Sequence, residues 1–445
     1  MLHGPLMPRL ITFALPLMMS SVLQLLFNAV DVIVVGNFTG SEALAAVGST
    51  TALINIYINL FVGMSMGVNV LAARKYAAGA YDEMSRAVHT GITFALICGV
   101  VMIFVGLFLS RPSLALMGTP DNVIDQSVLY MRIYFAGMPF FMLYNYGAAV
   151  LRAVGDTRRP LIYLTTAGVV NALLNLFLVI VMHMGVAGVA IATVISQGIS
   201  CVLVLRCLMT TDGPYRLNIR KLQLDRHSIR SICKIGIPTG VQGVVISFSN
   251  ALLQSSVNSF GSVAMAGYTA ANNILGFLYM AVNSITQASM SFTSQNLGAG
   301  KLKRIDRLLV DCMILEFITA FTLGGLAFVF GRQLLGIYTS EAEVVKAGLE
   351  IASITYVPYF LCGFMDMFPG IMRGLGYAFV PMILSMIGTV GVRILWILLY
   401  FPSHRSLHEL FLSYPISWGA TFLMQIICFY LVRKSIWKKY QRYKA

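Results

Sequence analysis

Charge is scarce in this 445-residue chain: Asp, Glu, Lys and Arg together make up 11% of it, against roughly a quarter in soluble domains. That shortage excludes a soluble globular enzyme, a disordered chain and a collagen-like fibre. There is no CxxC and no His/Cys pair, and the seven cysteines (Cys98, Cys201, Cys207, Cys233, Cys312, Cys362 and Cys428) lie in or beside apolar runs. They read as small apolar filler without a disulfide or metal role. No GxxxxGK[ST] occurs, so ATP-driven work by this chain alone is not expected. The six histidines (His3, His89, His183, His227, His404 and His408) fall at segment ends or in loops. An intramembrane enzyme would need clustered His, Asp or Glu, so the chain is not expected to be an enzyme. Alternation of apolar and polar residues is also missing, which disfavours a β-barrel.

What is present is apolar: 58% of residues, with a mean hydropathy of +0.80. A spanning helix takes ~20 residues or a few more, so ~12 helices would use roughly 260 residues. Twelve apolar segments are found, at 10–36, 49–72, 87–109, 128–151, 160–182, 187–209, 232–257, 268–294, 308–330, 351–372, 379–401 and 410–432. The expected fold is an all-α polytopic membrane protein with 12 transmembrane helices. One Arg precedes the first run and no small-residue cleavage site ends it, so a retained first helix is expected rather than a signal peptide.

The formal net charge is +14, and the cations fall on one side. Arg9, the 2–3 loop (Arg74, Lys75, Arg86), the 4–5 loop (Arg152, Arg158, Arg159) and the long 6–7 loop, from Arg206 to Lys234, share that side. So do Lys301, Lys303, Arg304 and Arg307, then Arg373, and a tail carrying Arg433, Lys434, Lys438, Lys439, Arg442 and Lys444. Only Arg111, Arg132, Arg332, Lys346 and Arg405 lie opposite, and Arg393 lies inside a span. The positive-inside rule places both termini in the cytoplasm. The basic excess is a topology signal, and no nucleic-acid partner is expected.

The two halves repeat at an offset of 221–222. Pro16 pairs with Pro238, Asn28 with Asn250, Gly40 with Gly261, and Ala78-Gly79 with Ala299-Gly300. LRAVGDTRRP pairs with MRGLGYAFVP, aligning Arg152, Gly155 and Pro160 with Arg373, Gly376 and Pro381. Six spans per half give both halves one orientation, a parallel repeat about an axis along the membrane normal. The expected organisation is a lobe at 1–210, a cytoplasmic linker at 211–230, and a second lobe with the basic tail at 231–445. Duplicated lobes suit alternating access by a secondary transporter better than a channel.

One half also serves as a control for the other. Asp31 has Leu253 as its counterpart, and Gln24, Asn28 and Asp31 make one polar stripe on an apolar helix. An intramembrane carboxylate is costly and is a functional site by default. Desolvation favours the neutral acid, so proton gain and loss at Asp31 is a route to coupling. Asn171 and Asn175, Thr193 and Gln197, and Asn55 and Asn59 each repeat at i, i+4, as cavity lining or as interhelical hydrogen-bonding glue. Asp366 (counterpart Asn145) and Arg393 are further cavity candidates. Glu316 has no obvious partner. The 25 methionines would suit a cavity adaptable to varied apolar cations.

LPLMMSSVLQLLFNAVDVIVVG, LRAVGDTRRP, GVAGVAIATVISQ and SQNLGAGK together resemble the multidrug and toxic compound extrusion (MATE) family over essentially the whole chain. The resemblance implies cation-coupled export of amphipathic, mostly cationic compounds. Asp31 matches the family's first-helix Asp. Asn171, Asn175 and Thr193 match its pocket on helices five and six, and Tyr130 its pocket Tyr on helix four. Several members carry an Asp one turn after the helix-five Asn, where this chain has Asn175; helix seven also lacks an acid to pair with Asp366. Protons are therefore expected over sodium, with Asp31 the place for sodium if it binds, and no other cofactor or metal. A flippase for a lipid or lipid-linked saccharide is the alternative. A monomer in a bacterial plasma (inner) membrane, with small amphipathic organic substrates and the bilayer as partners, completes the reading. A major-facilitator transporter would show a GxxxDRxGRR-like 2–3 loop, and this one reads ARKYAAGAYDEMSR.

Overall fold

The computed structural model describes residues 1–444; for Ser41, Ala52 and residues 439–444 only the backbone is described, so the side chains of Lys439, Arg442 and Lys444 lie outside it. Every regular element among the described residues is helical. The helices are α1 (Leu6–Phe38), α2 (Ser41–Ala77), α3 (Tyr81–Leu116), α4 (Asp121–Ala136), α5 (Met138–Val154), α6 (Arg158–Asn175), α7 (Gly185–Thr210) and α8 (Arg226–Asn258). They continue as α9 (Ser262–Gly298), α10 (Leu302–Val329), α11 (Gly331–Gly336), α12 (Ala342–Thr355), α13 (Phe360–Gly374), α14 (Phe379–Ser385), α15 (Val392–Leu395) and α16 (Leu407–Lys444).

Nine of the described helices are long and apolar enough to cross a membrane. The count is ten if the pair Ala342–Thr355 and Val357–Gly374, bent by 44°, is one span. Two expected segments do not qualify as single apolar helices. Segment 128–151 is divided at Gly137 into α4 and α5. Segment 268–294 lies in α9, which carries Asn272, Asn273, Asn283 and Gln287. Outward-facing side chains such as Phe108 and Leu399 are more than two-thirds exposed. In a bilayer such a surface faces lipid, which is as apolar as the side chains themselves.

The repeat extends to backbone conformation. Left-handed glycines recur in pairs: Gly40 and Gly261 (φ 99 and 92), Gly79 and Gly300 (φ 69 and 69), Gly155 and Gly376 (φ 102 and 94). At each of these turns an L side chain would be strained. Their hydrogen bonds match too: Ala80 N donates to Lys75 O at 3.1 Å, and Lys301 N to Asn296 O at 2.8 Å.

Two compact units are found, Met19–Gly240 and Met1–Met18 with Val241–Ala445. The expected boundary was the linker at 211–230; the units instead divide inside α1 and α8, two residues after Pro16 and Pro238. Packing explains the difference. In the C-terminal unit the start of α1 buries Leu6, Leu10, Phe13, Ala14 and Leu17 against Ile285, Phe292 and Met372. The Phe13 and Phe292 rings meet edge-on at 5.5 Å. In the N-terminal unit the start of α8 places Ile232 in the core with Met64 and Val68. There Gly63 and Gly67 of α2 approach α8 so closely that a Cβ at either would strike the backbone of residues 232–240. Small residues let helix backbones meet where hydrophobic exclusion supplies no drive.

Candidate functional site

In the N-terminal unit α1, α2, α4, α5, α6 and α7 enclose a cavity of about 290 Å³. The polar stripe of α1 supplies Gln24, Asn28 and Asp31; α2 adds Asn55, α4 Tyr130, α6 Asn171, and α7 Thr193 and Gln197. Eight residues singled out from five segments of sequence therefore share one wall. Asn175 sits one turn beyond Asn171, fully buried.

A hydrogen-bond chain joins three helices. Asn175 Nδ2 donates to Asp31 Oδ1 and to Asn171 Oδ1 at 3.3 Å. Asn171 Nδ2 donates to Thr193 Oγ1 at 3.4 Å, and Thr193 Oγ1 to Val189 O at 3.0 Å. Local folding makes this possible. After Asn175 the helix widens, with Met182 N donating five residues back to Phe177 O at 3.0 Å. His183 (φ 54) and Gly185 (φ 57) then take left-handed conformations, and the chain reverses within residues 182–184, bringing α7 back along α6. Wide turns of this kind concentrate at functional sites.

Asp31 is 9% exposed and, among the described residues, is the only carboxylate on the cavity wall. Two further buried acceptors at the site, Asn175 Oδ1 on the hydrogen-bond chain and Gln197 Oε1 of a wall residue, have no donor. The site is thus rich in oxygen acceptors and holds one carboxyl group, a set that suits a proton or a cation. Aromatic rings complete the wall: Phe27, Tyr134, Phe141 and Tyr144. The one sign of these rings in the sequence is the i, i+4 spacing of Tyr130 and Tyr134, which puts both on one face of α4. Tyr130 and Tyr134 stack with centroids 6.1 Å apart. Gly168 also lines the cavity, and a Cβ there would run into the Phe27 ring; its signal is invisible without knowing what packs opposite.

Three candidates lie elsewhere. Asn59, one turn beyond Asn55 on α2, is not on the wall. Asp366 and Arg393 belong to the C-terminal unit. Asp366 sits on α13, seven residues before Arg373, whose Nη2 donates to Gln242 Oε1 at 2.6 Å. Arg393 on α15 is 3% exposed. Its Nε donates to Ser417 Oγ at 3.2 Å, its Nη1 to Asn250 Oδ1 at 3.2 Å, and its guanidinium lies over the Tyr414 ring at 4.2 Å. Glu316 is fully buried, and neither carboxyl oxygen has a hydrogen-bond partner; its side chain occupies the space that a Cβ at Gly363 would need.

A family model described as MatE matches residues 16–177 and again residues 238–399, the same two stretches that the repeat relates. Among its relatives, the chain is 29% identical to the probable multidrug resistance protein YoeA of Bacillus subtilis, over 96% of this chain and 94% of that protein. It is 20% identical to the multidrug export protein MepA of Staphylococcus aureus, over 89% and 88%. Among solved structures it is similar to an outward-facing multidrug resistance MATE transporter, with a TM-score of 0.89, 20% identity, and 97% and 98% of the two chains covered. The Vibrio cholerae transporter VcmN in its bent form gives a TM-score of 0.89 at 20% identity, with 97% of each chain covered.

Proposed function

The chain belongs to the MatE family of multi-span membrane transporters, and from that premise we propose that it is a proton-coupled antiporter exporting amphipathic, mostly cationic organic compounds by alternating access. The single observation that carries this reading is Asp31: one buried carboxylate, hydrogen-bonded through Asn175, on the wall of an aromatic-lined cavity. A cationic amphiphile gains an ion pair with the carboxylate and cation–π contact with the rings. Protonation removes the negative charge and turns the carboxyl into a donor, so Asn175 no longer faces a carboxylate acceptor. The chain from Asp31 through Asn175 and Asn171 to Thr193 then rearranges, which loosens α1 from α6 and α7 and releases the substrate. Facing the cytoplasm, Asp31 gives up its proton and the site binds again.

Protons are favoured over sodium because one carboxylate is the whole acidic complement of the cavity. Twelve spans with both termini cytoplasmic are part of the same proposal, since α4 with α5 and the polar-rich α9 supply the two spans beyond the ten apolar ones. Under the same proposal the protein is a monomer in a bacterial plasma membrane; the relatives in Bacillus subtilis and Staphylococcus aureus support the bacterial part of it.

The test is efflux of a cationic dye from an efflux-deficient host. Asp31→Asn should reduce export to background with the protein still present in the membrane; wild-type efflux in that variant would sink the proposal. In vesicles at constant pH an imposed sodium gradient should not stimulate transport, and stimulation would make sodium the coupling ion.

A further inference from the structure

We propose that Arg393 in the C-terminal unit is an anion-recognition site that takes the carboxylate of an organic anion or zwitterion. This extends the substrate range beyond cations and rests on a different unit of the chain from the Asp31 cavity.

The argument begins with charge. A guanidinium cannot be deprotonated and offers five N–H donors in a planar fork. Inside a membrane such a group is costly and is found paired or at a transport pathway. Arg393 is 3% exposed, yet no carboxylate among the described residues lies within ion-pair distance of it. Its partners are neutral: Ser417 Oγ, Asn250 Oδ1 and the Tyr414 ring. Nε and Nη1 are engaged and Nη2 makes no hydrogen bond, so one arm of the fork is left for an incoming oxygen. A positive charge fixed by neutral groups, with a free donor, is complementary to a carboxylate, which forms short charge-assisted bonds to this geometry.

The position adds a second reason. Asn250 is the repeat counterpart of Asn28, and Ser417, at the 221 offset, is the counterpart of Ser196; both Asn28 and Ser196 line the Asp31 cavity. Arg393 lies on the counterpart of α6, two residues after a widened helical stretch, Met386–Gly391. Two equivalent positions, Asn28 and Ser196 on the cavity wall with Asp31 and Asn250 and Ser417 around Arg393, therefore accompany an acid in one unit and a cation in the other. If Arg393 were only a tether between α8, α15 and α16, it would need to hold those helices but would show no preference among ligands.

The experiment uses purified full-length protein in nanodiscs of zwitterionic lipid and a matched pair of probes, a xanthene dye with a free carboxylate and its methyl ester. Binding is followed by fluorescence anisotropy. Wild-type protein should bind the carboxylate dye, benzoate should displace it, and benzamide should not. Arg393→Gln should weaken the carboxylate dye by about tenfold, the size of one lost charge-assisted contact, and leave the ester unchanged. Arg393→Lys should recover part of the loss, since it keeps the charge without the fork. Carboxylate binding that is unaltered in Arg393→Gln overturns the proposal. So does a failure of benzoate to displace the dye from the wild type, a result that needs no variant to fold. Displacement by benzoate should survive in Asp31→Asn, whose dye efflux is lost, so the two proposals fail separately.

Discussion

The two units repeat their backbone turns and differ in the charged residue beside one pair of equivalent asparagines. Left-handed glycines recur at matched turns, with φ values within 10° of each other. Asn28 and Asn250 sit at equivalent positions, yet one neighbours Asp31 and the other accepts a hydrogen bond from Arg393. Duplication kept the residues that fix turns and helix ends, where any replacement costs backbone strain. The polar interiors diverged, because there the fold demands only that buried groups be satisfied. A residue present in one unit alone is therefore the informative one.

The most severe test of this contrast moves the acid across the repeat. Asp31→Asn combined with Leu253→Asp restores a carboxylate at the equivalent place in the C-terminal unit. Dye export should stay at background, because Leu253 is fully buried and the chain Asn175–Asn171–Thr193 exists only in the other unit. Recovery of export in the double variant would mean that the units are interchangeable.

Next in size are the exchanged helix starts. The α8 start meets α2 through Gly63, Gly67, Gly236 and Gly240, and a Cβ at any of them would strike the backbone or inner side chain of the other helix. The α1 start instead buries large side chains. Gly236→Leu should cost about 1–3 kcal/mol through overpacking, while Leu10→Ala should cost about 2–5 kcal/mol through a cavity. Thermal denaturation in detergent, compared with the wild type, separates the two. Equal tolerance of Leu at Gly236 and at Ala14, its counterpart, would remove the distinction.

The sequence carried the broad architecture because membrane solvation leaves few options: long apolar runs must be helices. It also carried most of the cavity, since a polar residue within such a run is costly unless it meets another. Gln24, Asn28, Asp31, Asn55, Asn171 and Gln197 converge for that reason. What it could not carry depends on partners. Asn59 has the same spacing as Asn55 yet faces elsewhere, because two residues on one helix stripe need not reach one wall. The unit boundary fell in the helices rather than the linker, because it was set by which core accepts Leu10 and which accepts Ile232. Gly168 was silent because its role is the absence of a side chain beside Phe27.

A smaller effect is expected at Asn175. Asn175→Ala removes one interhelical hydrogen bond to the site's acid, of a class worth about 0.6–1.7 kcal/mol in membranes, so export should fall roughly three- to twentyfold. Asn250→Ala, the matching change around Arg393, should leave cationic dye export near the wild-type rate. A drop of equal size in both variants would erase the functional asymmetry between the units.

The smallest effect concerns how the start of each exchanged helix is held. The α1 start is gripped by cations: Lys301 Nζ donates to Leu2 O at 2.8 Å and Arg304 Nη2 to Gly4 O at 2.8 Å. The α8 start is held by an acid. Asp225 Oδ2 accepts from Ser228 Oγ at 2.7 Å and Ser228 N at 2.8 Å, and Asp225 N donates to Thr90 Oγ1 at 3.1 Å. These bonds to the Ser228 hydroxyl and amide hold the Asp225 carboxyl below the usual carboxylate range. A group depressed in the folded state contributes fully above its unfolded pKa, about 3.9, and loses that contribution as the pH falls through the lower folded value. Amide protection at Ser228 should therefore be lower in Asp225→Ala than in wild type near neutral pH, and the gap should begin to close below about pH 4 and vanish below the lower folded value. Protection at the α1 start should show no such closure, because Lys and Arg donors stay charged throughout that window. A gap at Ser228 that persists at the acidic end would mean that the Thr90 bond, rather than the Asp225 carboxylate, anchors the helix.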